Sequence, residues 1–267
     1  MSGTPVRLAI SRGMGWLMDL RLPSFLRAFG VRTFARIVGA DLDEARLRPR
    51  DYPSLGAFFV RELKTGARVF PTDLAEFGSP ADGRLISAEY VHSDTLLQAK
   101  GQPYSAAELL GPAGEGVELE GALALNIYLS PSDYHRVHSP LDARLTAASW
   151  LGAARYSVAP KETARRPRVF VSNERVALRL EDDAGPCFLV LVGALNVGRM
   201  RVVGVEQGAA PTQGAAVERG AELGRFEMGS TVVILLPRLP GRPAPEPLPG
   251  LHLGAKVQMG QLLALRP

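Results

Sequence analysis

Apolar residues recur along this chain in two rhythms. In residues 5–40 the spacing is helical. Val6, Ile10, Met14 and Leu17 fall near one face, with Arg7, Ser11 and Arg12 away from it. Pro23 and Ser24 break the pattern, and Leu26, Phe29, Phe34 and Ile37 then form a second stripe flanked by Arg27, Arg32 and Arg36. A third helix is expected over residues 52–63, YPSLGAFFVREL. From residue 78 onward the rhythm shortens. Runs such as RLISAEYV, ALALNIYL, RVALRL, CFLVLVGALNVG and RVVGVE alternate with Gly, Pro, Asp and Asn, as short strands do. Residues 231–236 are six consecutive apolar or β-branched positions and predict a buried strand. The pattern predicts an α+β fold: amphipathic helices over 1–50, then a β-rich, sandwich- or barrel-like domain over 51–267.

Two local signals refine this outline. Residues 237–250, PRLPGRPAPEPLPG, carry six prolines in fourteen positions and predict an extended loop rather than a strand or helix interior. VERGAELG (217–224) and VQMGQLLA (257–264) share V-x-x-G-x-x-L, which fits a turn glycine between two short strands.

Composition narrows the class. With 267 residues, 46% hydrophobic and 22% charged, the chain can bury a sizeable core and is not of disordered type. A single cysteine, Cys187, excludes an internal disulfide and a cysteine-only metal site. No apolar run approaches the roughly 18 residues of a membrane span, and no secretory signal is expected. The strands show no βαβ alternation and no G-x-G-x-x-G, which argues against a dinucleotide site. Net charge is +4, yet residues 1–40 hold six arginines against Asp19 alone. A basic end on a near-neutral body points to an anionic partner. Basic amphipathic helices bearing aromatics suit a membrane interface, and no recognised nucleic-acid motif is present.

Three segments supply chemistry. GSPADGRLI, 78–86, places Asp82 in an Asp-Gly turn before a strand. YLSPSDYHRVHSP, 128–140, holds His135 and His138 in a polar, proline-bounded segment after a strand, where a rigid sheet positions functional groups. An H-x-x-H pair on a helix can bind metal, but nothing nearby offers a third ligand, so no metal is expected. FEMGSTVVILL, 226–236, sets Gly229 and Ser230 at the mouth of the buried strand. Gly-Ser is also ordinary turn chemistry. Together the segments provide an acid, a base and a hydroxyl, the inventory of an activated serine. A serine hydrolase built on Asp82, His138 and Ser230 is one reading, weakened by the lack of G-x-S-x-G. A non-enzymatic β-rich scaffold with a basic arm is another.

Seven segments in order resemble the phosphatidylserine decarboxylase family: FFVRELK (58–64), PADGRL (80–85), KGQPYSAAELLG (100–111), YLSPSDYHRVHSP (128–140), NERV (173–176), VGALNVG (192–198) and ELGRFEMGSTVVILL (222–236). The likeness runs from about residue 50 to the end, with Met228 where the family motif familiarly has Leu.

The resemblance implies a proenzyme that cuts itself between Gly229 and Ser230 into a large chain, 1–229, and a small chain, 230–267. Ser230 would attack the Gly229 carbonyl in an N-to-O acyl shift and end as a covalent pyruvoyl group, the only cofactor, whose ketone serves as electron sink for decarboxylation. Asp82, His138 and Ser230 would form the self-cleavage triad, with His135 acting in decarboxylation or substrate positioning. The implied partners are phosphatidylserine, an anionic membrane surface and the two chains of one precursor; a homo-oligomer stays open and nucleic acid is not expected. The implied location is peripheral, on the cytoplasmic face of the cell membrane. A pyruvoyl-dependent decarboxylase of another amine-bearing substrate is the alternative.

Overall fold

The computed structural model describes residues 13, 16–98, 101–194, 200–206, 214–227 and 230–266. Its centre is an eight-stranded antiparallel sheet, in spatial order Ala215–Val217, Ala143–Leu151, Arg175–Asp182, Gly185–Gly193, Ser230–Leu236, Leu123–Leu129, Gly83–Tyr90 and Lys256–Val257. The sheet keeps two free edges and does not close into a barrel. The α+β class is as expected.

Burial explains the order. All seven residues of Ser230–Leu236 are buried, as are most of Leu123–Leu129 and Gly185–Gly193 on either side. Strands covered on both faces read as continuous apolar runs, which is the pattern seen at 231–236. Ser230 pairs with Leu129 on one neighbour and Gly193 on the other. Leu236 ends the ladder opposite Leu123.

A second sheet joins Met200–Val202, Glu222–Phe226 and Arg136–His138. It ties the histidine segment to the stretch that leads into Ser230. A third joins Glu76–Gly78, Leu262–Leu265 and the short Glu246–Pro247. That last piece lies in the proline-rich segment expected to be loop throughout. It is an edge strand of two residues, the place in a sheet where proline is tolerated. The V-x-x-G-x-x-L echo is structural: Gly220 (φ +82°) turns between Ala215–Val217 and Glu222–Phe226, and Gly260 (φ +83°) between Lys256–Val257 and Leu262–Leu265.

The helical layer is smaller. Gly13 and residues 16–19 are helical, and the chain restarts at Pro23 as the helix Ser24–Val38. Gly39 closes that helix in the left-handed conformation, φ +78°. Val31 and Ala35 pack with Tyr52 and Phe58 in a separate small core. Phe58 meets Phe34 edge-on at 6.2 Å and Tyr52 at 5.3 Å. The helix expected over 52–63 is only Leu55–Phe59, capped by Ser54 Oγ, which accepts from Ala57 N–H at 3.1 Å. It stops because Val60 leaves helical geometry and Leu63 bridges to Ala45. Among the described residues no helix is long and apolar enough to cross a membrane.

Candidate active site

Ser230 opens the central strand and is wholly buried. Its Oγ has no hydrogen-bond partner among the described residues. The adjacent Thr231 hydroxyl, by contrast, is committed to the Ile127 carbonyl at 2.8 Å. A buried hydroxyl left unpaired costs stability, and such groups mark sites where chemistry is held ready. Gly229, the other half of the expected cleavage site, lies outside the described residues, as does Met228.

His135 is tied to the same region from two sides. Its backbone carbonyl accepts from Phe226 N–H at 3.0 Å, four residues before Ser230. Its ring Nε2 lies 3.0 Å from the Ser130 carbonyl, next to Leu129, the cross-strand partner of Ser230. A carbonyl only accepts, so Nε2 carries the proton and Nδ1 presents a lone pair. That Nδ1 is buried and has no partner among the described residues. The ring stacks on Phe59 at 4.1 Å. Burial pushes its pKa down to about 3, with the nearby Arg61 charge adding to the effect. His135 is a neutral imidazole.

His138 faces elsewhere. The pair does not lie on a helix: His138 ends the strand Arg136–His138, and His135 stands just before it. His138 Nδ1 donates to the Gly220 carbonyl at 2.7 Å, and Nε2 accepts from the Tyr134 hydroxyl at 3.0 Å. The two rings stack at 5.6 Å. Burial lowers the His138 pKa.

Asp82 is close to His138 but not bonded to it. The His138 backbone N–H donates to Pro80 O at 2.8 Å, which sets the imidazole beside the Asp82 segment. The Asp82 carboxylate itself is held by Arg68 at 3.0 and 2.6 Å and by Met259 N–H at 2.7 Å. Arg68 grips Glu44 at two points as well, both 2.8 Å. Tyr134, Arg136, His138, Arg68 and Met259 line an open cleft of about 480 Å³ that also carries Lys64 and Arg219.

The structure therefore gathers the expected residues into two groups. Ser230, paired with Leu129, and His135, bonded to Ser130, meet at the end of Leu123–Leu129, whereas His138 lines the cleft and Asp82 is held by its lining residues Arg68 and Met259. No hydrogen bond joins Asp82 to His138, or either to Ser230, among the described residues. Phe59, Arg61, Arg68 and Tyr134 were not singled out from the sequence. Phe59 and Arg61 stood in FFVRELK, and Tyr134 in YLSPSDYHRVHSP. Arg68 had no local signal.

Comparison with known proteins bears on this geometry. A sequence profile described as phosphatidylserine decarboxylase matches residues 55–265. A phosphatidylserine decarboxylase proenzyme of Xanthomonas oryzae pv. oryzae is 41% identical over 248 residues, covering 88% of this chain and 86% of that protein. One from Xanthomonas campestris pv. campestris is similar to the same extent, 41% over 248 residues. One from Alkalilimnicola ehrlichii is 37% identical over 259 residues, covering 92% of this chain and 88% of that protein.

Proposed function

The chain belongs to the phosphatidylserine decarboxylase family, a family of carboxy-lyases, and from that premise we propose that it cuts itself between Gly229 and Ser230 and decarboxylates phosphatidylserine to phosphatidylethanolamine. The observation that carries the proposal is the buried Oγ of Ser230 at the start of the central strand, unpartnered among the described residues.

In self-cleavage Ser230 Oγ bonds to the Gly229 carbonyl carbon, the C–N bond breaks, and the Oγ proton ends on the freed amine. Elimination then removes the Ser230 Cα proton to a base, forms the Cα=Cβ bond, breaks Cβ–Oγ and releases the Gly229 carboxylate with the large chain. Hydrolysis of the dehydroalanine left behind yields ammonia and the pyruvoyl ketone. The surroundings of Ser230 suit that group: the position is buried, flanked by Leu129 and Gly193, and its hydroxyl has no partner among the described residues. The pyruvoyl ketone supplies an electron sink for loss of CO₂.

The base for cleavage is assigned to His138, with Asp82 contributing its field. The Nδ1–H bond to Gly220 fixes the tautomer whose Nε2 can accept a proton. Tyr134 caps that nitrogen and has to yield before Nε2 receives the serine proton. His135 is assigned to substrate positioning in decarboxylation. A pKa near 3 makes it an acceptor for a substrate N–H or O–H rather than a proton donor. One observation favours a second reading in which His135 is the cleavage base. Its Nδ1 and Ser230 Oγ are both buried and have no partner among the described residues, on segments that meet at the end of Leu123–Leu129.

Residues 1–50 are assigned to peripheral docking on an anionic, cytoplasmic membrane face and residues 51–267 to catalysis. Phe25, Phe29 and Ile37 stand exposed on the helix Ser24–Val38 beside exposed Arg32 and Arg36.

Intact-mass analysis of the purified protein tests the reading. The expected result is two fragments meeting at residues 229 and 230, the smaller blocked at its N-terminus, and one uncut, inactive chain for Ser230→Ala. Wild-type protein that stays whole while turning over lipid overturns it. Histidine→Ala variants at 135 and 138, compared for cutting alone, decide between the two bases.

A further inference from the structure

Arg61 is a buried cation without a counter-ion among the described residues. It follows the short helix Leu55–Phe59 and is only 4% exposed. Its Nη2 donates to the Ser132 carbonyl at 3.2 Å, and its guanidinium lies 5.1 Å from the Phe58 ring centroid. Its Nε is buried with no partner among the described residues, and no described carboxylate pairs with it. Tyr52, Asp82, Glu44 and Asp41 are near enough to act on it through their fields only: Asp82 and Glu44 are clamped by Arg68, and Asp41 accepts from Asp43 N–H. Burying an unmatched guanidinium is expensive, and a fold retains one where something else supplies the opposite charge.

The surroundings of Arg61 define that partner. Ser132 belongs to the turn of residues 130–133, and the Ser130 carbonyl of the same turn holds His135. Leu129, just before it, pairs with Ser230. Arg61 also rests on Phe58, which packs into the helical layer whose helix Ser24–Val38 leaves Phe25 and Phe29 exposed. The guanidinium therefore touches both the helical layer, through Phe58, and the turn that follows the cross-strand partner of Ser230. A phospholipid has the same linear order: acyl chains, then phosphodiester, then amine.

Resting on the function proposed above, we propose that Arg61 anchors the phosphodiester of the phospholipid substrate. A guanidinium offers paired N–H donors that match two phosphate oxygens. The substrate carboxylate is the poorer partner. Its charge departs during decarboxylation, so a cation on it stabilises the ground state more than the transition state and slows the step. The phosphodiester charge does not change, and binding it costs nothing in the chemical step.

The test uses the full chain as wild type, Arg61→Met and Arg61→Lys. Turnover is measured with dihexanoyl phosphatidylserine. Binding is measured by calorimetry with dihexanoyl phosphatidylethanolamine, which keeps the phosphodiester and lacks the carboxylate. Binding is repeated on uncut Ser230→Ala proteins with and without Arg61→Met, so that this readout depends on neither cutting nor turnover. Arg61→Met should weaken binding of the phosphatidylethanolamine roughly thirtyfold or more and raise KM by a similar factor, with kcat within about threefold of wild type. Arg61→Lys should fall between. Unchanged affinity for the phosphatidylethanolamine overturns the proposal, as does a fall in kcat at constant KM, the signature of a clamp on the turn alone. Should Arg61→Met give no folded protein, Arg61→Lys decides: wild-type affinity and KM in that variant overturn the proposal. An uncut, inactive wild type removes the functional reading itself and is seen separately, by mass.

Discussion

Arg68 and Asp82 meet at two points, Nε to Oδ1 at 3.0 Å and Nη2 to Oδ2 at 2.6 Å, with side chains only 5% and 8% exposed. Asp82 is thus the counter-ion of a buried guanidinium as well as an acid near His138. Asp82→Ala should cost on the order of 3–5 kcal/mol, because it leaves Arg68 short of charge and Met259 N–H without an acceptor. Glu44→Ala should cost less than about 1 kcal/mol, since Glu44 is 34% exposed and water screens the loss. Urea unfolding of both variants in the uncut Ser230→Ala background checks the ranking, and equal costs would contradict it.

His135 stacked on Phe59 predicts a pH dependence of stability. The ordinary imidazole pKa is 6.5, and burial takes His135 to about 3 in the folded chain. Between these values the unfolded chain holds a proton that the folded one refuses. Stability is therefore complete above pH 6.5 and falls as pH drops, by up to about 1.4 kcal/mol per pH unit from this group. His138, also lowered by burial, adds with the same sign. His135→Gln, whose side-chain amide can still donate to Ser130 O, should flatten the slope between pH 6.5 and 5. An unchanged slope would mean that His135 is not the buried neutral group described. Phe59→Ala should wet the ring and move its pKa back toward 6.5, which NMR titration of the imidazole reads directly.

How much of this was legible in the sequence depended on the range of the contacts. The buried strand at 231–236 was plain because burial on both faces needs no periodicity. Ala143–Leu151 was missed, since its Ala, Ser and Thr residues carry no alternation to read. Gly83 looked like half of an Asp-Gly turn. It is instead a point of close approach, where a Cβ would sit 2.6 Å from Tyr128 O. His135 and His138 read as a pair in the sequence, but the stacking of His135 on Phe59, a contact made only by tertiary packing, had no local signal. Arg68 was invisible because its partners, Glu44 and Asp82, are brought to it only by tertiary packing.

After self-cleavage the small chain should stay in place. Residues 230–236 pair with Leu123–Leu129 along one side and with Gly185–Gly193 along the other. Leu262–Leu265 pairs with Glu76–Gly78, and Arg266 binds Asp182 at 2.7 Å. Each fully buried Leu, Ile or Val of the strand contributes roughly 1.5–3 kcal/mol, and several must be exposed together for release. The two fragments should co-elute in native size-exclusion chromatography and separate only in denaturant. Loss of the small fragment under native conditions would contradict the strand's central position.

The outer face of the helix Ser24–Val38 makes the membrane assignment measurable. Phe25 is 80% exposed, Phe29 71% and Ile37 76%, with no core of their own to enter. Phe25 and Phe29 lie one turn apart, and Arg32 and Arg36 continue the same line. Combined Phe25→Ser, Phe29→Ser and Ile37→Ser should weaken flotation with phosphatidylglycerol-containing vesicles at least about a hundredfold, by removing apolar burial. Arg32→Gln and Arg36→Gln should each weaken it by about 1 kcal/mol, and only on anionic vesicles at low salt. All of these side chains are exposed on a helix outside the sheet that holds Ser230, so cutting should persist in every variant. Vesicle binding that survives the triple substitution would place the docking surface elsewhere.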